Sequence, residues 1–305
     1  MNWLIYGAYG YTGRLVAREA TRRGMRPVLA GRRDEPLAAL GAELDMEHRA
    51  FSLDDPASLR EGLKGQDLVL NCAGPFSRTC APMLDACLET GVHYLDITGE
   101  IEVFEHCWHR DEQARRADLV VCPGTGFDVV PTDCLAATLV ERLPAATHLT
   151  LAFEAGGGAS HGTALTSIEA LPRGGRIRQD GELVTVPLAW KSRSIPFAHA
   201  TRSAVTIPWG DVFTAWVTTG IPNIEVYLSM SPAAVRRLRW LAHLQPLLRL
   251  GMVQRWMRRR VDRSVSGPDE ARRRDSGVEV WGEVVSADGR REEGTLSGPN
   301  GYDLT

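Results

Sequence analysis

The chain has 305 residues, 44% of them hydrophobic and 24% charged, with a formal net charge of −3. That is the make-up of an ordinary globular protein with room for two domains, or for one domain with a large excursion. The net charge selects no partner, and no stretch approaches the roughly eighteen uncharged apolar residues of a membrane-spanning helix.

Trp3 to Tyr6 is a short apolar run that predicts a buried strand, and from Thr12 the pattern turns helical, with Leu15, Val16 and Ala20 on one face. Between them Gly7, Gly10 and Gly13 stand three apart. A strand, a glycine-rich turn and a helix start make a phosphate site, because backbone N–H groups point outward at the positive end of the helix dipole. Gly7 permits the turn, Gly10 lets a pyrophosphate approach the backbone, and Gly13 lets helix and strand pack closely. The spacing is G-x-x-G-x-x-G, so context carries the reading. Tyr9, Tyr11 and Thr12 lie within the same turn and join the candidate cofactor contacts.

A second strand over Arg26–Ala30 ends in Gly31-Arg32-Arg33. An acidic residue here would hold a ribose 2′-hydroxyl, whereas a guanidinium binds a 2′-phosphate bidentately and stacks on adenine. Arg32 and Arg33 therefore predict NADP(H) over NAD(H); the plainer reading is two solvated charges at a strand end. A helix over 35–44 and a strand over 47–53 follow, then Asp54-Asp55-Pro56 opens another helix. Asp54 either caps that helix or touches the adenine. A fourth strand, 67–71, exits through Asn71-Cys72-Ala73-Gly74-Pro75-Phe76, on the side where doubly wound sheets bind ligands.

The βα alternation continues with a helix over 79–90, a strand from His93 leading to Asp96-Ile-Thr98-Gly-Glu100, a helix over 101–117 and a strand over 119–122. A loop from Pro123 to Asp133 then carries Asp128. Six cysteines, Cys72, Cys80, Cys87, Cys107, Cys122 and Cys134, form no C-x-x-C pair and no zinc-finger spacing. They predict reduced thiols in a cytoplasmic protein without a metal site.

Past residue 147 the alternation stops. A strand over 148–154, a glycine-rich turn at 156–163 and a helix to 171 precede a hairpin at Asp180-Gly181, further strands at 203–207 and 224–230, and a last hairpin around Asp288-Gly289. A helical stretch over 232–263, broken at Pro246, carries nine arginines against Asp262 alone, interleaved with Trp240, Trp256 and several leucines. It suits either peripheral contact with an anionic membrane or a helical cover for the second sheet or another subunit. No nucleic-acid motif is present. The fold class is α/β: an N-terminal Rossmann doubly wound parallel sheet over 1–145, then an α+β domain over 146–305 containing a mixed or antiparallel sheet.

Five stretches, Gly7-Ala-Tyr-Gly-Tyr-Thr-Gly13, Ala30-Gly-Arg-Arg33, Leu70-Asn-Cys-Ala-Gly-Pro-Phe76, Tyr94-Leu-Asp-Ile-Thr-Gly-Glu100 and Gly124-Thr-Gly-Phe-Asp-Val-Val-Pro-Thr-Asp133, resemble the saccharopine dehydrogenase (reductase)-like oxidoreductases. The resemblance is strong over the first 135 residues. It is looser beyond, through Gly162-Thr163 and 219–227, where it is nearer to uncharacterised bacterial members and the trans-acting enoyl reductases. It implies an NADPH-binding Rossmann domain, a substrate domain that also forms a homodimer, and a small-molecule or acyl-chain substrate. Relatives continue beyond the position of Thr305, which implies a truncated carboxyl terminus.

Hydride transfer asks the protein to position a nicotinamide and polarise the acceptor. The nicotinamide is expected against Cys72, Ala73, Gly74 and Pro75. Candidate proton donors are Asp96, Thr98, Glu100 and Asp128, with His161, Thr163 and the Cys72 thiol behind them; carboxylates at loop starts are also frequent caps. Two functions stay open: an NADPH-dependent reductase of a C=N or C=C bond, or a non-catalytic NADPH-binding protein that docks through its basic helix.

Overall fold

The computed structural model describes residues 1–305 and divides into two compact units, Met1–Phe127 with Thr305, and Asp128–Leu304. The first unit runs β1 (Trp3–Tyr6), α1 (Tyr11–Arg22), β2 (Val28–Gly31), α2 (Asp34–Leu44), β3 (His48–Ala50), α3 (Pro56–Leu63), β4 (Leu68–Asn71), α4 (Phe76–Thr90), β5 (His93–Asp96), α5 (Ile101–Trp108), α6 (Asp111–Arg116) and β6 (Val121–Cys122). Its six strands are ordered β3-β2-β1-β4-β5-β6, with every pair parallel. This is the doubly wound order, and it switches direction beside β1. Successive residues of β1 feed opposite faces, as the pleat requires. Leu4 and Tyr6 join Val69, Met83, Leu84 and Tyr94 in one core, and Ile5 joins Ala17, Leu29, Leu37 and Leu40 in the other.

Three local differences from the expected elements have physical causes. α4 begins at Phe76, not Thr79, because a carboxylate from another loop caps its first turn. The helix expected over 101–117 is two helices, because the chain turns at Arg110, whose guanidinium bonds Gln113 and pairs with Asp85 of α4. The third strand is short: its last bond to β2 runs from the Phe51 nitrogen to the Gly31 carbonyl at 2.9 Å, and the Phe51 ring packs 5.2 Å from that of Tyr6.

The second unit runs α7 (Val130–Arg142), β7 (Ala146–Ala155), α8 (His161–Ala170), β8 (Gly175–Gln179), β9 (Glu182–Val186), β10 (Ser192–Pro196), β11 (Thr201–Thr206), α9 (Asp211–Thr219), β12 (Asn223–Ser229), α10 (Pro232–His243), α11 (Gln245–Leu248), α12 (Gly251–Ser264), α13 (Glu270–Arg274), β13 (Gly277–Ser286) and β14 (Arg291–Pro299). The sheet is mixed: the path β10-β11-β12-β7-β13-β14 contains one parallel pair, β12 with β7, and the β8–β9 hairpin joins it through β12. Asp180 and Gly181 have φ of 51° and 85°, the left-handed pair that a type I′ turn needs. β10 and α9 are absent from the sequence reading. The β-branched and aromatic content of α9 disguises a helix that stops at Gly220, with φ of 71°.

The division after Phe127 gives α7 to the second unit, whereas the sequence reading drew the boundary at 145. α7 lies on the β13–β14 hairpin, and glycines there make the room. A Cβ on Gly282 would meet Leu139 Cδ1 at 2.8 Å and Leu135 Cδ2 at 3.2 Å. Gly282→Leu should therefore push α7 off its seat and cost about 1–3 kcal/mol. Chemical denaturation would read this as a lower midpoint, and an unchanged midpoint would remove the glycine seat as the reason for the packing.

Candidate cofactor and active site

The carboxyl end of the first sheet is built on backbone crowding. Gly7 has φ of 83°, and a Cβ on it would lie 2.9 Å from the Ala73 nitrogen. A Cβ on Gly13 would lie 2.3 Å from the Gly7 carbonyl oxygen, and one on Gly10 would lie 3.0 Å from the same atom. Gly7 and Ala8 both donate to the Ala30 carbonyl, which closes the turn over β2. α1 starts at Gly10 with no side-chain cap and no acidic residue in its first turn. The positive end of the helix dipole is thus left for an outside anion. These residues fit a dinucleotide pyrophosphate.

Around the end of β2, Tyr9 lies over Gly31, where a Cβ would meet its ring at 2.8 Å. The Arg33 guanidinium stacks 4.9 Å from the centre of the same ring. Arg32 and Arg33 are both exposed. Burial pushes the Tyr6 hydroxyl up to about 12, an effect that the nearby Arg32 charge opposes. Asp54 is exposed and accepts from the Ser52 hydroxyl at 3.2 Å. Of the two roles considered for Asp54, capping goes to Asp55, which accepts from the Ala57 nitrogen at 3.1 Å.

Tyr6, Asn71 and Asp96 are register partners at the ends of β1, β4 and β5, a buried polar row across the carboxyl edge. Asn71 accepts from the Ala73 nitrogen at 3.0 Å and donates to the Thr79 hydroxyl at 3.2 Å. Thr79 donates onward to the Ala73 carbonyl at 2.6 Å. The loop 72–75, which contains a cis Gly74–Pro75 bond, is therefore held from inside by one amide. The Cys72 thiol is pushed up to about 12 by burial, assisted by the Asp96 charge. That makes it a poor proton donor near neutrality.

Of the catalytic candidates, Asp96, Thr98 and Glu100 are brought together, each accepting hydrogen bonds from neighbouring loops or a helix start. Asp96 accepts from the Tyr94 hydroxyl at 2.7 Å, the Thr98 nitrogen at 3.0 Å and the Gly124 nitrogen at 2.8 Å. Thr98 accepts from the Glu100 nitrogen at 3.0 Å. Glu100 accepts from the Phe76 and Ser77 nitrogens at 2.8 and 2.9 Å, capping α4 across 24 residues of sequence. Asp128 belongs to the second unit, where its carbonyl accepts from the Trp209 indole. There His161 pairs with Asp262 at 2.8 Å, and the Thr163 nitrogen donates at 3.2 Å to the Ser160 hydroxyl, which caps α8. Tyr94 and Thr79 were not singled out from sequence. Tyr94 sits two residues before Asp96 on the same strand face, which is the signal that could have found it.

A hollow of 570 Å³ lined by Asn2, Trp3, Val28, Arg49 and Gln66 lies at the amino ends of the strands. That is the opposite edge from the ligand side of a doubly wound sheet. The glycine turn and the β4 exit mark the site instead.

Fold and site together define a dinucleotide-binding Rossmann unit joined to an α+β unit. Residues 3–122 match the family model described as the saccharopine dehydrogenase NADP binding domain. Residues 3–122 are thus similar to that NADP binding domain, as their motifs imply. It is 31% identical over 150 residues to a saccharopine dehydrogenase-like oxidoreductase of Bos taurus, spanning 43% of this chain and 35% of the relative. It is 30% identical over 150 residues to a trans-acting enoyl reductase of Mycobacterium leprae (strain TN), spanning 46% of this chain and 35% of that one. The matched part is therefore about a third of these relatives. Apo saccharopine dehydrogenase (L-Glu forming) from Saccharomyces cerevisiae shares the fold over 99% of this chain and 87% of that one, with a TM-score of 0.63 and 11% identity.

Asp96 carries a pH signature. Burial raises its carboxyl from 3.8 to about 6, against three hydrogen bonds that favour the ionised form. The folded state then binds more protons than the unfolded between these values, so stability falls as pH rises from about 4 to 6. The gap of about two units amounts to ~3 kcal/mol at most. Asp96→Asn should be less stable at pH 7, because one amide cannot accept from all three donors, yet its stability should vary less between pH 4 and 6. Denaturation midpoints across that range, with equal slopes in both proteins, would refute the assignment.

Proposed function

We propose that the chain is an NADPH-dependent oxidoreductase that delivers a hydride to a C=N or C=C bond of a small-molecule or acyl substrate. The observation that carries this is the uncapped start of α1, where three glycines leave no room for a Cβ, set beside two exposed arginines at the end of β2. The amides of the 7–13 turn would hold the pyrophosphate, and Arg32 and Arg33 the 2′-phosphate, with Arg33 braced on Tyr9. Bound NADPH supplies the hydride. Residues 72–75 would border the nicotinamide end, and the Asn71 amide keeps that loop in one conformation.

In this reading Asp96, Thr98 and Glu100 position the loops and do not move the proton, because their oxygens accept from backbone N–H groups and, at Asp96, also from the Tyr94 hydroxyl. A fixed frame is what proximity and orientation demand of a hydride transfer. The family resemblance implied by the motifs supports C=N reduction, and the 30% identity with an enoyl reductase supports C=C reduction.

Fluorescence titration should show NADPH binding at least about tenfold more tightly than NADH, the worth of one charge-assisted pair, and Arg32→Ala should close the gap. Equal binding of the two cofactors by the unaltered chain would refute the role of the arginines. Steady NADPH oxidation with a panel of cyclic imines or enoyl thioesters is expected. Tight binding without turnover on either panel would favour the non-catalytic reading.

A further inference from the structure

Helices α10 to α12 of the second unit leave an unusual surface in water. Thirteen large hydrophobic residues of the chain are exposed, and five of them, Trp240, Leu247, Leu250, Met252 and Trp256, fall between residues 240 and 256. Single exposed apolar residues are ordinary, but such a concentration is not. Trp240, Met252 and Trp256 expose 64%, 72% and 61% of their surface.

The charge around them is just as uneven. Residues 232–264 hold nine arginines against Asp262, a formal +8, so with the chain at −3 all other residues sum to −11.

α12 has two distinct faces. Its inner face is tied to α8: Arg258 pairs with Glu169 at 3.0 Å, Gln254 donates to the Ile168 carbonyl, and His161 bonds Asp262 at 2.8 Å. Met252, Trp256, Arg259, Arg260 and Arg263 recur at i, i+4, i+7, i+8 and i+11, one stripe on the other side, and all five are exposed. The Arg260 guanidinium lies 5.8 Å from the Trp256 ring centre, so cation and aromatic ring are presented together.

We infer that this face docks the protein on the surface of an anionic phospholipid bilayer. Tryptophan, methionine and leucine side chains enter the headgroup boundary, while arginines snorkel to lipid phosphates and anionic headgroups. A second copy brought face to face about a two-fold axis would set this arginine stripe against its own image, which Coulomb repulsion opposes. An acidic protein would satisfy the charge but would not call for two tryptophans in water. No helix is long and apolar enough to cross a membrane, so the contact is peripheral.

The test is co-sedimentation of the full chain with vesicles of phosphatidylcholine alone and with about a third phosphatidylserine. Binding should be confined to the anionic vesicles and should weaken with salt. It should fall at least about tenfold in Arg259→Glu with Arg260→Glu, and separately in Trp256→Ser, with thermal midpoints unchanged. Arg258 is left alone because its pair with Glu169 holds the helix. Failure to bind anionic vesicles overturns the inference, as does equal binding by both variants. Binding to polyglutamate but not to vesicles would assign the face to an acidic protein and overturn it. A concentration-dependent dimer abolished by Trp256→Ser would assign it to a second copy, with the same consequence.

Discussion

The carboxyl edge of the first sheet depends on how closely backbone approaches backbone between Gly7 and Gly13. Side chains at 7, 10 or 13 would each collide with main-chain atoms, at Gly13 by more than an ångström of overlap with the Gly7 carbonyl oxygen. Because Gly7 is also the residue against which Ala73 rests, this contact sets the β4 exit loop as well as the start of α1. The two halves of the proposed cofactor site, one for phosphate and one for nicotinamide, are therefore parts of a single packed unit.

The carboxylates behind that edge act on backbone. A buried carboxylate is costly unless donors surround it. Asp96 and Glu100 meet this requirement with N–H groups that loops and a helix end must otherwise leave unpaired. Burial still prevails at Asp96, whose carboxyl rises to about 6. Such residues look catalytic in a sequence, since polar residues after a strand are where ligands bind. Some of their hydrogen-bond partners are local, but the Phe76, Ser77 and Gly124 nitrogens lie 23 to 28 residues away.

In the second unit a similar economy operates through glycine. Gly282 and Gly294 let α7 settle on the final hairpin, and Asp-Gly pairs turn two hairpins. Asp211, at the start of α9, is fully buried, and burial raises its carboxyl well above the ordinary range. It therefore adds to the same loss of stability with rising pH as Asp96. α12 departs from the pattern of buried apolar faces, with its inner side tied to α8 by polar pairs and its outer side aromatic and cationic.

Much was legible in one dimension. The βα alternation, the glycine turn, the arginines after β2 and the Asp180-Gly181 hairpin all follow from periodicity and from what glycine permits, and those effects are local; the stretch expected to break in two at Pro246 is instead three helices, with Pro246 in the first turn of α11. The cofactor class follows from the same short stretches. What only the tertiary structure decided is which polar groups are spent on the fold. Asp55, not Asp54, caps α3; Glu100 caps a helix remote in sequence; Arg110 splits a helix to reach Asp85; α7 belongs to the second unit; and Arg258 is tied down while Arg259 and Arg260 face water. Each depends on a partner distant along the chain, or on which side of a helix is covered. Spacing within one segment determines which residues share a face, but not what that face meets.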